Sequence, residues 1–385
     1  VEKPATYVFA GGASGGHLFP GLAVAEELRA RDQRIKIVFI GSERGVEREI
    51  VREHNCRHEP LPVEPSTMFR RNSVRFLWRN WQARNRAAAL LDELKPAAVI
   101  GLGGFASVPV VMAASSRRIP TVLLEQNIVS GRATRWLSSR ASLICLSFDK
   151  THGRLATGTF TSVTGNPVGK QIANLRNRAR STAHHDAPTL LILGGSQGAT
   201  AVNEMAMGAI DNLHLTTMGA TGVSPVQIRD WTIMHQTGAA QHDKIARRYA
   251  ELGLQVETAP FFTDMPRRYA QATLAITRGG ATSLAELAVV GVPTIIVPYP
   301  NSLGDHQRLN ARFYAENGAA KIVEQTGDSV AAMTNAVTEL ATDSHRLRAM
   351  CDAMHVLGKP HAAAAVVDQL QQRTSSEQIE RRRSA

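Results

Sequence analysis

Short, almost continuous apolar runs alternate with helix-length segments along most of this chain, and that alternation constrains the fold more than any other feature. Runs at residues 6–10, 35–40, 98–100, 121–124 and 143–146 read as strands in the first half; 190–193, 232–235, 274–277 and 294–297 do so in the second. A strand that is apolar at nearly every position is buried on both faces, and strands separated by helices cross over between parallel neighbours. The pattern predicts an α/β chain of doubly wound parallel sheets. At 385 residues the chain is long for one core and comfortable for two. The stretch 169–188 breaks the rhythm with Arg176, Arg178 and Arg180 and then His184-His185-Asp186. It reads as a linker between a first domain at 1–168 and a second at 189–370. Residues 371–385, polar and ending in Arg381-Arg382-Arg383, read as a frayed tail.

Composition narrows the setting. The hydrophobic share of 43% is that of a globular protein. No run of eighteen or more apolar residues occurs, so no helical membrane span is expected. The start of the chain reads as a first strand and not as a signal peptide. Cys56, Cys145 and Cys351 are scattered and form no Cys-x-x-Cys pair, which speaks against a zinc site or a disulfide framework and for a reducing cytoplasm. The net charge of +11 attracts anions. The basic residues are dispersed, with no zinc finger and no aromatic RNA-binding signature, so nucleic acid is not an expected partner.

Three glycine-rich turns lie between a strand and a helix. The first is Gly11-Gly12-Ala13-Ser14-Gly15-Gly16-His17. Glycines let the backbone turn sharply and approach a ligand, and a helix N-terminus favours negative charge. The dinucleotide pattern fails because Ala13 fills its middle position. The nucleotide-triphosphate pattern fails because His17 replaces its lysine and Leu18 its hydroxyl residue. His17 is the loop's only titratable side chain; it reads either as a general base or phosphate holder, or as an imidazole capping the helix. The second turn is Gly194-Gly195-Ser196-Gln197-Gly198-Ala199. The third is Arg278-Gly279-Gly280-Ala281-Thr282-Ser283, running into a helix stopped by Gly291 and Pro293. Its helix N-terminus suits a diphosphate. Glu286, one turn in, reads either as a ribose-binding carboxylate or as the far end of a capping box with Ser283. Asp305-His306-Gln307 follows a strand's carboxyl end, where open α/β sheets bind ligands, and suits sugar hydroxyls. No Asp-x-Asp pair is present, so no metal is expected in the site.

These turns, together with Leu18-Phe19-Pro20-Gly21, Gly103-Gly104-Phe105, Glu125-Gln126-Asn127 and Gly165-Asn166-Pro167-Val168, resemble in order the signature blocks of the MurG family. These are the bacterial UDP-N-acetylglucosamine:N-acetylmuramyl-(pentapeptide) pyrophosphoryl-undecaprenol N-acetylglucosamine transferases. The match runs from about Tyr7 to about Glu324. The resemblance implies a GT-B fold, with two Rossmann-like domains facing across a cleft and the donor in the second. It implies transfer of N-acetylglucosamine from its UDP donor, a substrate and not a cofactor, to lipid I, giving lipid II for the peptidoglycan cell wall. By position it places Ser196 at the donor phosphate or ribose and the backbone of Phe262 at the uracil. Ala281, Thr282 and Ser283 fall at the diphosphate, Glu286 at the ribose, and Gln307 and Asn127 at the sugar. Ser14, Gly15 and Gly16 fall by the reacting groups and the acceptor diphosphate. The family usually carries arginine after Asn-Pro-Val; Gly169 stands there, followed by Lys170. Lysine lacks arginine's bidentate fork, so that donor contact differs here.

The expected reaction is an inverting single displacement, with His17 and Glu125 as candidates for the base or its support. The neighbouring readings are another GT-B lipid glycosyltransferase or a UDP-sugar epimerase, and outside enzymes a sugar-nucleotide sensor. A lipid acceptor needs a membrane. In the segment 68–81, Val74, Leu77, Trp78 and Trp81 fall at helical spacing, flanked by Arg75 and Arg79. That reads as a basic amphipathic helix lying on the anionic cytoplasmic face of the inner membrane, or else as a core-facing helix with solvated arginines.

Overall fold

A computed structural model describes the chain except residues 1–3, 13–14, 44, 66–67, 69–71, 152, 154, 179–186, 196–197, 219–225 and 385, and the side chains of 46, 177–178, 216–218 and 375–384. The chain divides into two compact units. One comprises residues 1–170 and 361–385, the other residues 171–360.

The first unit alternates strands and helices: β1 (Thr6–Gly11), α1 (Gly15–Arg31), β2 (Lys36–Ser42), α2 (Gly45–Glu53), β3 (Arg57–Leu61), α3 (Ser73–Leu94), β4 (Ala98–Gly103), α4 (Ser107–Ser116), β5 (Thr121–Glu125), α5 (Arg132–Leu137), β6 (Leu143–Leu146) and β7 (Thr161–Val163). Its seven strands lie in the order β3-β2-β1-β4-β5-β6-β7, and every pairing is parallel. The order reverses between β1 and β4, which makes their carboxyl ends the switch point where such sheets bind ligands. Alternate residues of each central strand feed two apolar layers: Phe9, Phe39 and Ile100 face one side, while Val8, Val38 and Val99 face the other. The β1–β4 register breaks between Ala10 and Gly11. A Cβ on Gly11, whose φ is +107°, would meet the Gly103 carbonyl oxygen at 2.5 Å, so only glycine lets the two strand ends close here.

The second unit runs α6 (Lys170–Arg178), β8 (Thr189–Leu193), α7 (Thr200–Met218), β9 (Thr232–Gln236), α8 (His242–Leu252), β10 (Val256–Ala259), α9 (Met265–Gln271), β11 (Leu274–Thr277), α10 (Ala281–Val290), β12 (Thr294–Ile296), α11 (His306–Glu316), β13 (Ala320–Ile322), α12 (Ser329–Thr342) and α13 (Ser344–Leu357). Its six parallel strands follow the order β10-β9-β8-β11-β12-β13, with the switch between β8 and β11. Leu190, Ile192, Ile233, Ile276 and Ile295 pack with α7 and α12 residues in its core. Helix α10 ends as expected on Gly291, in the left-handed region, whose N–H donates to the Leu287 carbonyl.

Three boundaries differ from the sequence reading. The stretch 169–188, expected as linker, opens with helix α6. Residues 361–370, expected in the second domain, belong to the first unit. They start a helix, α14 (Ala362–Ser384), that runs on through the expected frayed tail. The reason is apolar: Val366, Val367 and Leu370 bury against the Leu22 and Leu28 face of α1, and Arg31 binds Asp368 at 2.6 Å and the Ala364 carbonyl at 3.2 Å.

Candidate active site

Each unit carries a candidate site at its switch point, and each is described by itself. In the first, β1 delivers the chain to the loop before α1. Ser14, expected beside the reacting groups, lies outside the described residues. Gly15, Gly16 and His17 form the first turn of α1. The His17 ring lies against the end of β4: a Cβ on Gly103, at φ +93°, would come within 3.0 Å of its Cδ2 and 3.4 Å of its Nε2. Gln126, buried after β5, donates to the Leu102 carbonyl beside it. The ends of β1, β4 and β5 thus gather His17, Gly103 and Gln126 at one place.

Glu125 faces differently. Its buried carboxylate accepts from the backbone N–H of Gly131 at 2.8 Å and of Asn127 at 3.2 Å. Burial raises its pKa, against the opposing hydrogen bonds from Thr134, Gly131 and Asn127. Gly131 caps α5, so Glu125 ties the 126–131 loop onto that helix. Of the two roles expected for it, this geometry favours support over proton abstraction. Asn127 is held by the same loop. Gly169 precedes α6, and a Cβ there would meet nothing within 4 Å. Lys170 beside it is exposed, and its N–H donates to Glu26.

Helix α3 divides along its length. Its second half buries Ala83, Ala87, Leu90 and Leu91, while Val74, Leu77, Trp78 and Trp81 are 57–77% exposed. The core-facing alternative for this segment is therefore overturned. Asn72 caps the helix by accepting from the Arg75 N–H. Arg75 pairs with Glu64, and Arg79 with Glu43 and Glu64. Among the described residues no helix is long and apolar enough to cross a membrane.

In the second unit, Gly280 is the N-cap of α10 and makes no side-chain cap. The N–H groups of Ala281, Thr282 and Ser283 precede the first intrahelical bond, from Leu284 N–H to the Gly280 carbonyl. They form the anion-favouring end of the helix. The capping-box alternative is overturned, because Glu286 accepts from the Tyr269 hydroxyl at 2.8 Å instead. Burial pushes the Glu286 carboxyl up to about 7, opposed by that hydrogen bond. The loop before the helix is fixed from α11: Asn310 donates to the Gly279 carbonyl at 3.0 Å, and a Cβ on Gly279 would meet the Gln307 carbonyl oxygen at 2.2 Å. The Gln307 side chain accepts from the Tyr299 N–H. Ser196 lies outside the described residues. Phe262 is buried under the Arg268 guanidinium, 4.3 Å from its ring centroid. Of its backbone groups, expected at the uracil, the N–H is already engaged: it donates to the Gln236 side chain at 3.0 Å.

Sequence reasoning gave no role to the residues behind these loops: Gln236, Asn310 and Tyr269 in the second unit, and Glu47 in the first, with His58 Nε2 3.6 Å from its carboxylate. His306 turns its Nδ1 to the Leu303 carbonyl, and Asp305 before it is a non-glycine residue at φ +58°. Among the described residues no group of three or more His, Cys, Asp or Glu side chains could hold a metal ion.

A model of the glycosyltransferase family 28 N-terminal domain matches residues 7–145, and one of the family 28 C-terminal domain matches residues 189–369. A relative from Syntrophotalea carbinolica is 35% identical over 366 residues, covering 94% of this chain and 96% of its own. A relative from Geobacter sulfurreducens is 34% identical over 377 residues, covering 96% and 99%. Both are named UDP-N-acetylglucosamine–N-acetylmuramyl-(pentapeptide) pyrophosphoryl-undecaprenol N-acetylglucosamine transferases. Among solved structures, MurG of Acinetobacter baumannii superimposes with a TM-score of 0.72 at 29% identity, over 96% of this chain and 100% of that one. A UDP-GlcNAc 2-epimerase from Neisseria meningitidis reaches a TM-score of 0.65 at 12% identity, a likeness of fold alone.

Proposed function

The chain belongs to glycosyltransferase family 28, and from that premise we propose that it transfers N-acetylglucosamine from UDP-N-acetylglucosamine to lipid I, forming lipid II. One observation carries the reading: relatives 34–35% identical over nearly the whole of both chains bear that activity in their names. The epimerase reading has a likeness of fold at 12% identity and no more.

The second unit supplies the donor site. The N–H groups of Ala281, Thr282 and Ser283 meet the diphosphate, and α10's dipole stabilises the charge that grows on UDP as the glycosidic bond breaks. Glu286 accepts the ribose hydroxyls, and Gln307 reaches the sugar. Ser196, outside the described residues, is kept as a phosphate or ribose contact by position alone. The first unit supplies the acceptor side. Gly15 and Gly16, with Ser14, take the acceptor diphosphate, and Asn127 reaches the transferred sugar. The acceptor's hydroxyl attacks the anomeric carbon on the face opposite UDP, which inverts its configuration. His17, packed at the end of β4, takes the hydroxyl proton. Glu125 acts behind it as a positioning residue.

The same reading puts the enzyme peripherally on the cytoplasmic face of the inner membrane, docked by Val74, Leu77, Trp78 and Trp81. Exposed tryptophans among arginines suit an anionic interface. Leu77→Glu or Trp81→Glu is expected to abolish sedimentation with anionic vesicles while the protein stays folded; unchanged sedimentation sinks the docking face.

The activity is tested by UDP release from UDP-N-acetylglucosamine, with and without a lipid I analogue. Release that depends on the lipid, with the sugar recovered on it, is the expected result. Release without lipid would overturn the transferase reading in favour of an epimerase or hydrolase.

A further inference from the structure

Gln236 is buried at the carboxyl end of β9, 3% exposed, and its side chain amide is used at both ends. Its Nε2 donates to the Gly195 carbonyl at 3.0 Å, in the glycine turn after β8. Its Oε1 accepts from the Phe262 N–H at 3.0 Å, in the turn after β10. The backbone around it repeats the pattern. The Gly194 N–H reaches the Gln236 carbonyl at 3.4 Å, while the N–H groups of Thr237 and Gly238 donate to the carbonyls of Ala259 and Pro260 at 3.0 and 3.1 Å. Gly198, at φ +74°, lies so close that a Cβ would sit 3.1 Å from the Gly238 Cα. The strand behind is itself fixed. His235 is fully buried, with its two ring nitrogens against the Tyr249 hydroxyl at 2.9 Å and the Asn203 side chain at 3.0 Å; Asn203 in turn donates to the Thr237 carbonyl.

We propose that Gln236 is a positioning residue that locks the glycine turn after β8 to the Phe262 turn, and so sets the spacing at which one nucleoside diphosphate engages both. This rests on the donor-site reading above. A nucleotide that spans two turns binds tightly only if they are already at the right separation, because ordering them on binding subtracts from affinity. A primary amide suits this role, because it donates to a carbonyl at one end and accepts from an N–H at the other. A carboxylate of the same size keeps the second contact and loses the first.

The test measures UDP and uridine affinity by calorimetry, and steady-state kinetics, for the parent chain, Gln236→Leu and Gln236→Glu. Gln236→Leu is expected to weaken UDP tenfold or more and to raise the donor KM in step, with kcat at saturating donor and the acceptor KM within threefold. Gln236→Glu, which keeps the Phe262 mooring, is expected to bind uridine within threefold of the parent while losing UDP affinity tenfold. Folded variants that bind UDP within twofold of the parent overturn the proposal. If Gln236→Leu does not fold, the uridine–UDP split in Gln236→Glu decides alone. Failure of the parent to bind UDP, or retention of UDP affinity in Glu286→Ala, counts against the donor-site reading instead and so separates the two.

Discussion

The two glycine loops that follow β1 and β8 occupy equivalent places in their sheets, yet the groups behind them are built differently. Behind the second loop stands a closed network: Gln236, Asn203 and His235 each have their side-chain polar atoms paired, and His235 is held neutral, its pKa lowered by burial to about 3. Behind the first loop stand two ionisable side chains. The Glu47 carboxylate accepts from the Ser42 hydroxyl at 2.7 Å with one oxygen. Its other oxygen lies 3.6 Å from His58 Nε2 and 3.5 Å from where a Cβ on Gly12 would be. That oxygen and both His58 ring nitrogens have no hydrogen-bond partner among the described residues, although each side chain is 2% exposed. A satisfied buried network rigidifies its surroundings, whereas half-satisfied polar groups cost stability. The groups behind the second loop are thus fully paired, and those behind the first leave slack.

The comparison breaks first if the loops differ sterically. Gly11→Ala, after β1, drives a Cβ into the Gly103 carbonyl oxygen at 2.5 Å, and Gly194→Ala, after β8, brings one to 2.8 Å from the Ala199 backbone nitrogen; each is expected to cost about 2–4 kcal/mol in denaturant unfolding. Gly16→Ala, with nothing within 4 Å, is expected to stay within about 1 kcal/mol. Equal losses at Gly11 and Gly16 would show that the loop's conformation, and not the close approach of β4, needs the glycine.

Kinetics separates the two sites next. His17→Ala is expected to lower kcat about 10²-fold or more at saturating donor, the scale of general-base loss, with donor KM little changed. Near-parent turnover removes His17 from the chemistry. In stability, Asn203→Ala is expected to cost about 1–3 kcal/mol, because it unpairs His235 and the Thr237 carbonyl. Glu47→Gln keeps an acceptor for Ser42 and puts an amide donor where the unpartnered oxygen faces His58, so it is expected to stay within about 1 kcal/mol of the parent or to stabilise. A Glu47→Gln loss as large as that of Asn203→Ala would mean that the loop after β1 is as tightly founded as the loop after β8.

Titration of Glu286 in the second unit is expected to act more gently. With the Glu286 carboxyl raised to about 7 by burial, it is protonated below that pH and a poor acceptor for ribose hydroxyls. The donor KM is expected to fall several-fold as pH rises from 6 to 8, and to lose that dependence in Glu286→Gln. The stability linkage has the opposite sign. The folded carboxyl binds its proton more tightly than the unfolded one, so this group favours the fold at pH below the unfolded value of 4.5. The contribution is lost as pH rises through about 7. A flat donor-KM profile in the parent chain would remove Glu286 from nucleotide recognition.

What the sequence made legible follows the same physics. The central strands of both sheets were readable because burial on both faces demands unbroken apolar runs. The strands it hid, β3, β7, β10 and β13, are the outer ones of the two sheets, where Arg57-His58-Glu59-Pro60-Leu61 or Val256-Glu257-Thr258-Ala259 can stay polar. The glycine turns and the α10 N-terminus were readable because backbone approach leaves a local signature. Their foundations were not: Gln236 and Asn310 are ordinary polar residues until the chain brings a distant carbonyl or N–H against them. Helix α14 was misassigned because its apolar partners on α1 lie more than three hundred residues earlier.

Gly169 gives the smallest expected effect and the sharpest check on transfer by resemblance. The family's usual arginine is missing here, and the adjacent Lys170 is exposed. A Cβ at residue 169 would meet nothing within 4 Å, and no left-handed φ forces a glycine. Gly169→Arg is therefore expected to change stability by less than about 0.5 kcal/mol. If the donor diphosphate lies within reach, the added guanidinium tightens UDP a few-fold, and Lys170→Ala weakens it in the parent chain but not in Gly169→Arg. If UDP affinity is the same in the parent, both single variants and the double variant, this corner of the chain does not touch the donor, and the role of the family's arginine does not carry over to it.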